Sequence, residues 1–186
     1  MKLIAGVDEV GRGSLIGPVY AAAVILNKDA DKEILKDSKR LTKNKREFLA
    51  RYIQKNSTWA LGKASVREIE KMNILNASLL AMQRAVKKLK KKPHVVLVDG
   101  NKLPKIKNCK LKAIIKGDQK IPSISAASII AKVKRDKMIV KLGKNFKKYL
   151  WDQNYGYGTK KHMNLIKKFG ATKHHRKTFS PLNKKR

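Results

Sequence analysis

The longest unbroken apolar run in the chain, VYAAAVIL at Val19–Leu26, dictates much of what can be built. It is long enough for one buried strand and far short of the ~18 residues a membrane-spanning helix needs. Comparable β-prone runs recur as KLIAGVDE (2–9), TWALGKA (58–64), HVVLVDG (94–100) and CKLKAIIKGD (109–118). The first run and VYAAAVIL are separated by a glycine-containing turn and read as two paired strands. Between the strands lie helical patterns. Thr42 is placed to cap a helix to about Gln54, with Phe48, Leu49, Tyr52 and Ile53 on one face. SVRE at 65–68 has the capping-box spacing, and the helix it opens runs to Lys90 with Ile74, Leu75, Met82, Val86 and Leu89 at helical intervals. SISAASIIAKVKRDKMIVKL (123–142) predicts a long helix, and TKKHMNLIKKFG (159–170) a shorter one stopped by Gly170. Strands near both halves with helices between them indicate an α/β domain, expected to occupy residues 1–180 and to be followed by a disordered basic tail at 181–186.

Charge narrows the choice of partner. The 186 residues carry 46 Lys+Arg against 13 Asp+Glu, a formal charge of +33, which calls for a polyanion, most simply nucleic acid held through its phosphates. Much of the excess is lysine on solvated faces, so charge alone does not settle function. The single cysteine, Cys109, excludes an internal disulfide and any multi-cysteine zinc site. Two charges at Asp8 and Glu9 interrupt any signal-peptide core. The expectation is a soluble cytoplasmic monomer with no membrane association and no disulfide-linked partner.

In so basic a chain the acids stand out. Asp8 and Glu9 sit together in GVDEVGRGSLIGP (6–18), while Asp99 and Asp118 end two of the predicted strands. Strand ends in an α/β sheet lie side by side, so these four can converge on one rim. Their mutual repulsion must be relieved by protonation or by a bound cation, and oxygen-only ligands suit Mg²⁺ or Mn²⁺. Two such ions roughly 3.5–4 Å apart activate water and stabilise the leaving oxygen of a phosphodiester. Consecutive residues of a strand face opposite sides, so Asp8 and Glu9 share one site only if the strand breaks there, as Gly11 and Gly13 allow. Singly, Asp99-Gly100 is also a hairpin signal and Gly117-Asp118 a helix cap. Asp136, four residues after Lys132, reads as a helix ion-pair partner.

The motifs GVDEVGRGSLIGP, DSKRL (37–41), NILNAS (73–78), VDGNKLP (98–104), KGDQKIPSISAASIIAKVKRD (116–136), GYGT (156–159) and HHRKTF (174–179) together resemble the ribonuclease HII family, the type 2 ribonucleases H, in order and over nearly the whole chain. The resemblance implies a ribonuclease H-like fold: a mixed five-stranded sheet flanked by helices, with additional C-terminal helices. It implies a metal-dependent endonuclease, using Mg²⁺ or Mn²⁺ with two ions per site in the substrate complex, that acts on RNA-DNA hybrids and on ribonucleotide-containing duplex DNA. Such an enzyme cuts the RNA strand of a hybrid and nicks a duplex 5′ to an embedded ribonucleotide, leaving 5′-phosphate and 3′-hydroxyl ends.

By matching motif, Asp8, Glu9, Asp99 and Asp118 are the catalytic and metal-binding acids. Gly11, Arg12 and Gly13 resemble the loop that reads the ribonucleotide 2′-hydroxyl through backbone groups, and Tyr157 the tyrosine that packs on the following sugar. Ser38 and Lys39 stand as candidate phosphate contacts, with an ordinary helix-entry turn explaining DSK equally well; Arg176, His174 and His175 stand as phosphate contacts or structural residues, the histidines reading more readily as structural. A C-terminal extension that binds the sliding clamp in some relatives is absent or reduced. Ribonuclease HIII is the nearest rival, but that family resembles GKG where this chain has GRG, and it carries an extra N-terminal domain for which no space precedes residue 6. A non-catalytic ribosomal-type protein would suit the charge but has no need of clustered acids.

Overall fold

A computed structural model of the chain describes residues 2–35 and 41–183. Five strands form one mixed sheet: β1 (Ile4–Val10), β2 (Val19–Leu26), β3 (Ser57–Ala64), β4 (Val95–Asp99) and β5 (Lys110–Ile114), in the order β3-β2-β1-β4-β5. The hairpin β1–β2 and the pair β2–β3 are antiparallel, while β1–β4 and β4–β5 are parallel. This is the mixed five-stranded architecture expected from the motifs.

Alternation along the strands divides the core in two. Ala5 and Val7 of β1, with Val96 and Val98 of β4, pack against α2 (Val66–Lys87) through Ala77, Ala81 and Ala85. The opposite face, represented by Ala22 and Val24, packs against α1 (Lys43–Lys55) and α4 (Pro122–Gly143). Between them in sequence, Gly117–Lys120 forms the short helix α3. The C-terminal part adds α5 (Trp151–Asn154) and α6 (Lys160–Phe169), packed with α4 around Leu15, Ile16, Ile139, Tyr149, Trp151 and Ile166.

Local signals account for most boundaries. Thr42 caps α1, Thr159 caps α6, and Ser65 and Glu68 form the reciprocal capping box of α2. The Glu68 carboxylate also binds Arg84 at 2.7 Å. Gly170, with φ +78°, ends α6. Three expectations need correcting. Helix α2 ends at Lys87, not Lys90, and breaks at Asn73 (φ 67°, ψ 168°), whose side chain accepts from the Asn76 amide and restarts the helix. Phe48, expected on the buried face of α1, is 59% exposed, because the face is completed by Ala50 between Leu49 and Ile53. Residues 181–183, assigned to the basic tail, form a turn in which Leu182 packs on the third cluster; residues 184–186 lie outside those described.

The third cluster holds buried histidines in neutral form. Trp151 Nε1 donates to His162 Nε2 at 3.1 Å, and the Thr172 amide donates to His175 Nδ1 at 2.9 Å. Burial foremost, then His162 and His174, pushes His175 down to about 4. Between the ordinary value of about 6.5 and 4, the unfolded chain binds a proton that the folded chain refuses. Stability is therefore fully present above pH 6.5 and falls as pH drops toward 4; equilibrium unfolding of His175→Phe should show a shallower slope across that window than wild type.

The sheet meets α4 backbone to backbone at Gly6, where an added Cβ would lie 2.2 Å from the Ser123 carbonyl carbon and 2.3 Å from the Ile124 nitrogen. Backbone on both sides cannot yield. Gly6→Ala should cost about 1–3 kcal/mol, read as a lower urea midpoint at unchanged m-value.

Candidate active site

The site lies where the parallel strands end. Val7 pairs with Val98 in register, so the next residues, Asp8 and Asp99, fall side by side on the face that meets α4. Asp8 is 6% exposed. Burial foremost, then the neighbouring charges of Glu9 and Asp99, raises its carboxyl well above the usual range, while hydrogen bonds from Ser128 and the Glu9 amide pull the other way. That amide donates to Asp8 Oδ1 at 2.7 Å. Asp99 Oδ1 accepts from the Gly117 amide at 2.7 Å and lies 3.4 Å from the Asp118 amide. These contacts tie the end of β4 to the start of α3 and bring the buried Asp118 beside Asp99.

Glu9 reaches the rim differently from the way its sequence suggested. The strand does not break at 8–9: pairing with β2 continues through Glu9–Ala21 and Val10–Tyr20. Instead β4 stops at Asp99 while β1 overhangs it, so no strand covers the edge of β1 beside Glu9. Burial foremost raises the Glu9 carboxyl, Arg12 lowers it, and Asp99 raises it again. Arg12 Nη1 meets Glu9 Oε1 at 3.2 Å, and the other oxygen, Oε2, is buried without a hydrogen-bond partner. Asp118 was also expected at a strand end; it occupies the first turn of α3, beyond the end of β5 at Ile114.

Among the described residues, no three His, Cys, Asp or Glu side chains are grouped closely enough to form a ready metal cage. The donor chemistry nevertheless fits a hard divalent cation. The donors are all oxygen, the Asp8 and Glu9 carboxyls are held above their ordinary range by burial and by the nearby Asp99 charge, and Glu9 offers a buried oxygen with no partner.

From β1 the chain turns at once into the Gly11–Gly17 loop. Gly11 has φ +89°, and an added Cβ would lie 2.1 Å from Arg135 Nε. The Arg12 and Gly13 amides make no hydrogen bond among the described residues, and both residues are exposed. Tyr157 borders the loop through an isolated bridge to Ser14. Its ring carries the Lys132 amine at 5.5 Å and the Arg135 guanidinium at 5.6 Å. Arg176, left by its sequence between a phosphate contact and a structural residue, is fully buried, donating to the Gly17 carbonyl at 2.9 Å and the Arg12 carbonyl at 2.8 Å; that burial fits the structural alternative and costs it the exposure a phosphate contact needs. Ser38 and Lys39 lie outside the described residues. Asp136 pairs with Lys132 at 3.0 Å, as its spacing indicated.

Ser128 and Arg135 were not singled out from sequence. Both lie in the quoted 116–136 motif, seven residues apart on α4, a two-turn spacing that places them on one face. That repeat was the available signal.

Comparison with known proteins adds a family. The family model described as Ribonuclease HII matches residues 5–181. A curated protein named Ribonuclease HII from Pelagibacter ubique is 72% identical over 98% of both chains, and one from Paracoccus denitrificans is 48% identical over 98% of this chain and 87% of that protein. The crystal structure of the ribonuclease H2 from Pyrococcus horikoshii superposes with a TM-score of 0.79 at 26% identity, over 97% of this chain and 95% of that one.

The acids predict a stability response. In EDTA, Asp8→Asn should unfold at a higher temperature than wild type, because it removes a buried charge beside two others. Millimolar Mg²⁺ should raise the wild-type midpoint and leave that of the variant nearly unmoved, as differential scanning fluorimetry would show.

Proposed function

The chain belongs to the ribonuclease HII family and is a ribonuclease H hydrolase, and on that premise we propose that it cuts the RNA strand of RNA-DNA hybrids and nicks duplex DNA 5′ to an embedded ribonucleotide. The observation that carries this reading is adjacency. The strand that brings Asp8 beside Asp99 runs, two residues after Glu9, into a glycine loop with unbonded amides, so one short segment supplies both the acids and the sugar-reading surface.

Asp8, Glu9, Asp99 and Asp118 would hold Mg²⁺ or Mn²⁺, two ions in the substrate complex. Bound there, the ions supply an activated water and charge stabilisation for the leaving 3′-oxygen. The protein's own groups do the rest. The Arg12 and Gly13 amides face a 2′-hydroxyl that DNA lacks, and glycine at 11 and 13 leaves room for close backbone approach. A site built to bond that hydroxyl rejects the deoxy analogue strongly, because its polar groups are then left unpaired. The Tyr157 ring, fixed by Lys132 and Arg135, offers a flat apolar face to the next sugar. Ser128 orients the Asp8 carboxylate. The surrounding lysines gather the duplex by its phosphates. Cleavage leaves a 3′-hydroxyl on the upstream strand and a 5′-phosphate on the ribonucleotide.

Incubation with a duplex bearing one ribonucleotide, in Mg²⁺ or Mn²⁺, should give a nick immediately 5′ to it. Asp99→Asn should abolish the nick while duplex binding persists. Binding without metal-dependent cleavage by wild type would favour a non-catalytic binding protein, and cleavage of long hybrids without response to a single ribonucleotide would favour a ribonuclease HIII-like activity.

A further inference from the structure

Beneath the Gly11–Gly17 loop lie two arginines, of which the chemistry above uses only the contact of Arg135 with the Tyr157 ring. Arg135, from α4, and Arg176, from the C-terminal segment, are both fully buried. Among the described residues neither forms an ion pair with a carboxylate. A buried guanidinium without an anionic partner is costly, and two are neighbours here: Arg135 further depresses the proton affinity that burial has already lowered in Arg176. Arg135 Nε and Arg176 Nη2 remain without partners. A tie between the C-terminal segment and the sheet could be made far more cheaply with apolar side chains.

What the guanidiniums do hold is backbone oxygen, three of the four carbonyls belonging to the loop. Arg176 donates to the carbonyls of Arg12 and Gly17. Arg135 donates to the carbonyls of Ile16, at 3.2 Å, and Tyr155, at 3.3 Å. The Arg176 amide adds a bond to the Leu15 carbonyl at 2.8 Å. A peptide unit is planar with its C=O and N–H opposed, so a carbonyl drawn inward turns the following amide outward. For the Arg12 carbonyl that amide belongs to Gly13, one of the two left unbonded. Arg135 also underlies Gly11 and touches the face of Tyr157, so one side chain braces both the loop and the ring proposed to grip the adjoining sugars. Phe179 stacks on the Arg176 guanidinium at 5.1 Å and closes the layer from below.

We propose that Arg135 and Arg176 are positioning residues for ribonucleotide recognition: by drawing the carbonyls of the Gly11–Gly17 loop inward they fix the loop, and with it the free Gly13 amide, toward the 2′-hydroxyl and so set the discrimination between ribose and deoxyribose. The inference rests on the reading of that loop given under the proposed function. Lysine at either position keeps the charge and loses the planar fork that spans two carbonyls. Selectivity should therefore fall while general attraction to nucleic acid stays.

Full-length wild type, Arg135→Lys and Arg176→Lys are to be compared in EDTA for affinity to a duplex with one central ribonucleotide and to the same duplex made entirely of DNA. Wild type should prefer the ribonucleotide by about tenfold, the worth of one well-placed hydrogen bond. Each lysine variant should prefer it by less than about twofold, with affinity for the all-DNA duplex held within about twofold of wild type. With Mg²⁺ restored, kcat on the ribonucleotide duplex should fall by about 10- to 100-fold while KM stays within about threefold. Preference surviving in both variants, or parallel loss of affinity for both duplexes, would overturn the proposal and leave the arginines as supports for the fold. A wild type with no preference would instead overturn the reading of the loop, and this inference with it. Should the lysine variants fail to fold by circular dichroism, Phe179→Leu removes the ring beneath Arg176 while leaving its donors; a partial loss of preference supports the proposal, and full preference contradicts it.

Discussion

The backbone of α4 rests on Gly6 of the first strand with no room for a side chain between them, and the rest of the site depends on that closeness. From this point the helix follows the first motif outward. Ser123 meets Gly6, Ser128 reaches Asp8, Arg135 lies under Gly11, and Ile139 lies under Gly17 at 3.0 Å from where a Cβ would stand. One rigid helix thus sets the height of the acids and of the loop together. A shift of an ångström in the helix would move both, which is the scale at which catalytic alignment is lost. The run of small residues at its start, Ser123, Ser125, Ala126 and Ala127, all buried, is what permits the approach.

Charge is arranged in layers. Far from the site, a surplus of +33 raises the local concentration of any polyphosphate, with an effect that salt screens. At the rim, burial foremost and then neighbouring carboxylates hold the Asp8 and Glu9 carboxyls above their usual range. Under the loop are two unpaired guanidiniums. Each arrangement is unfavourable for the isolated fold: the acids call for a cation, and the guanidiniums spend their donors on holding loop carbonyls. Structures that hold such uncompensated groups retain them for function more often than for stability.

Much of this was legible in the sequence because it rests on local rules. Capping residues at Thr42 and Ser65 and the stop at Gly170 marked the limits of three helices, and the apolar run of HVVLVDG marked β4. The four acids could be picked out because acids are scarce in this chain. What failed depended on tertiary context. The approach of Glu9 to the rim comes from β4 ending two residues short of β1, which no alternation pattern within β1 can show. Asp118 sits in a one-turn helix after a left-handed Lys116 (φ 55°), a turn that a strand-ending glycine disguised. Arg176 stayed open between phosphate contact and support because arginine so often binds phosphate, and only its tertiary bonds to the Arg12 and Gly17 carbonyls reveal that it is tucked beneath the loop. The kink at Asn73 escaped because Ile74 and Leu75 continue the apolar pattern across it.

The central claim is that the carboxylates at the ends of β1 and β4 share divalent ions at the scissile linkage. A crystal structure of the protein with Mn²⁺ and a duplex bearing one ribonucleotide, phased to locate the metal by its anomalous scattering, tests this most directly. The account predicts manganese peaks between Asp8 and Asp99, within bonding distance of the phosphate on the 5′ side of the ribonucleotide and of Glu9 and Asp118. Manganese absent from that rim while the ribonucleotide occupies the Gly11–Gly13 loop, or bound at a rim that holds no phosphate, would contradict it.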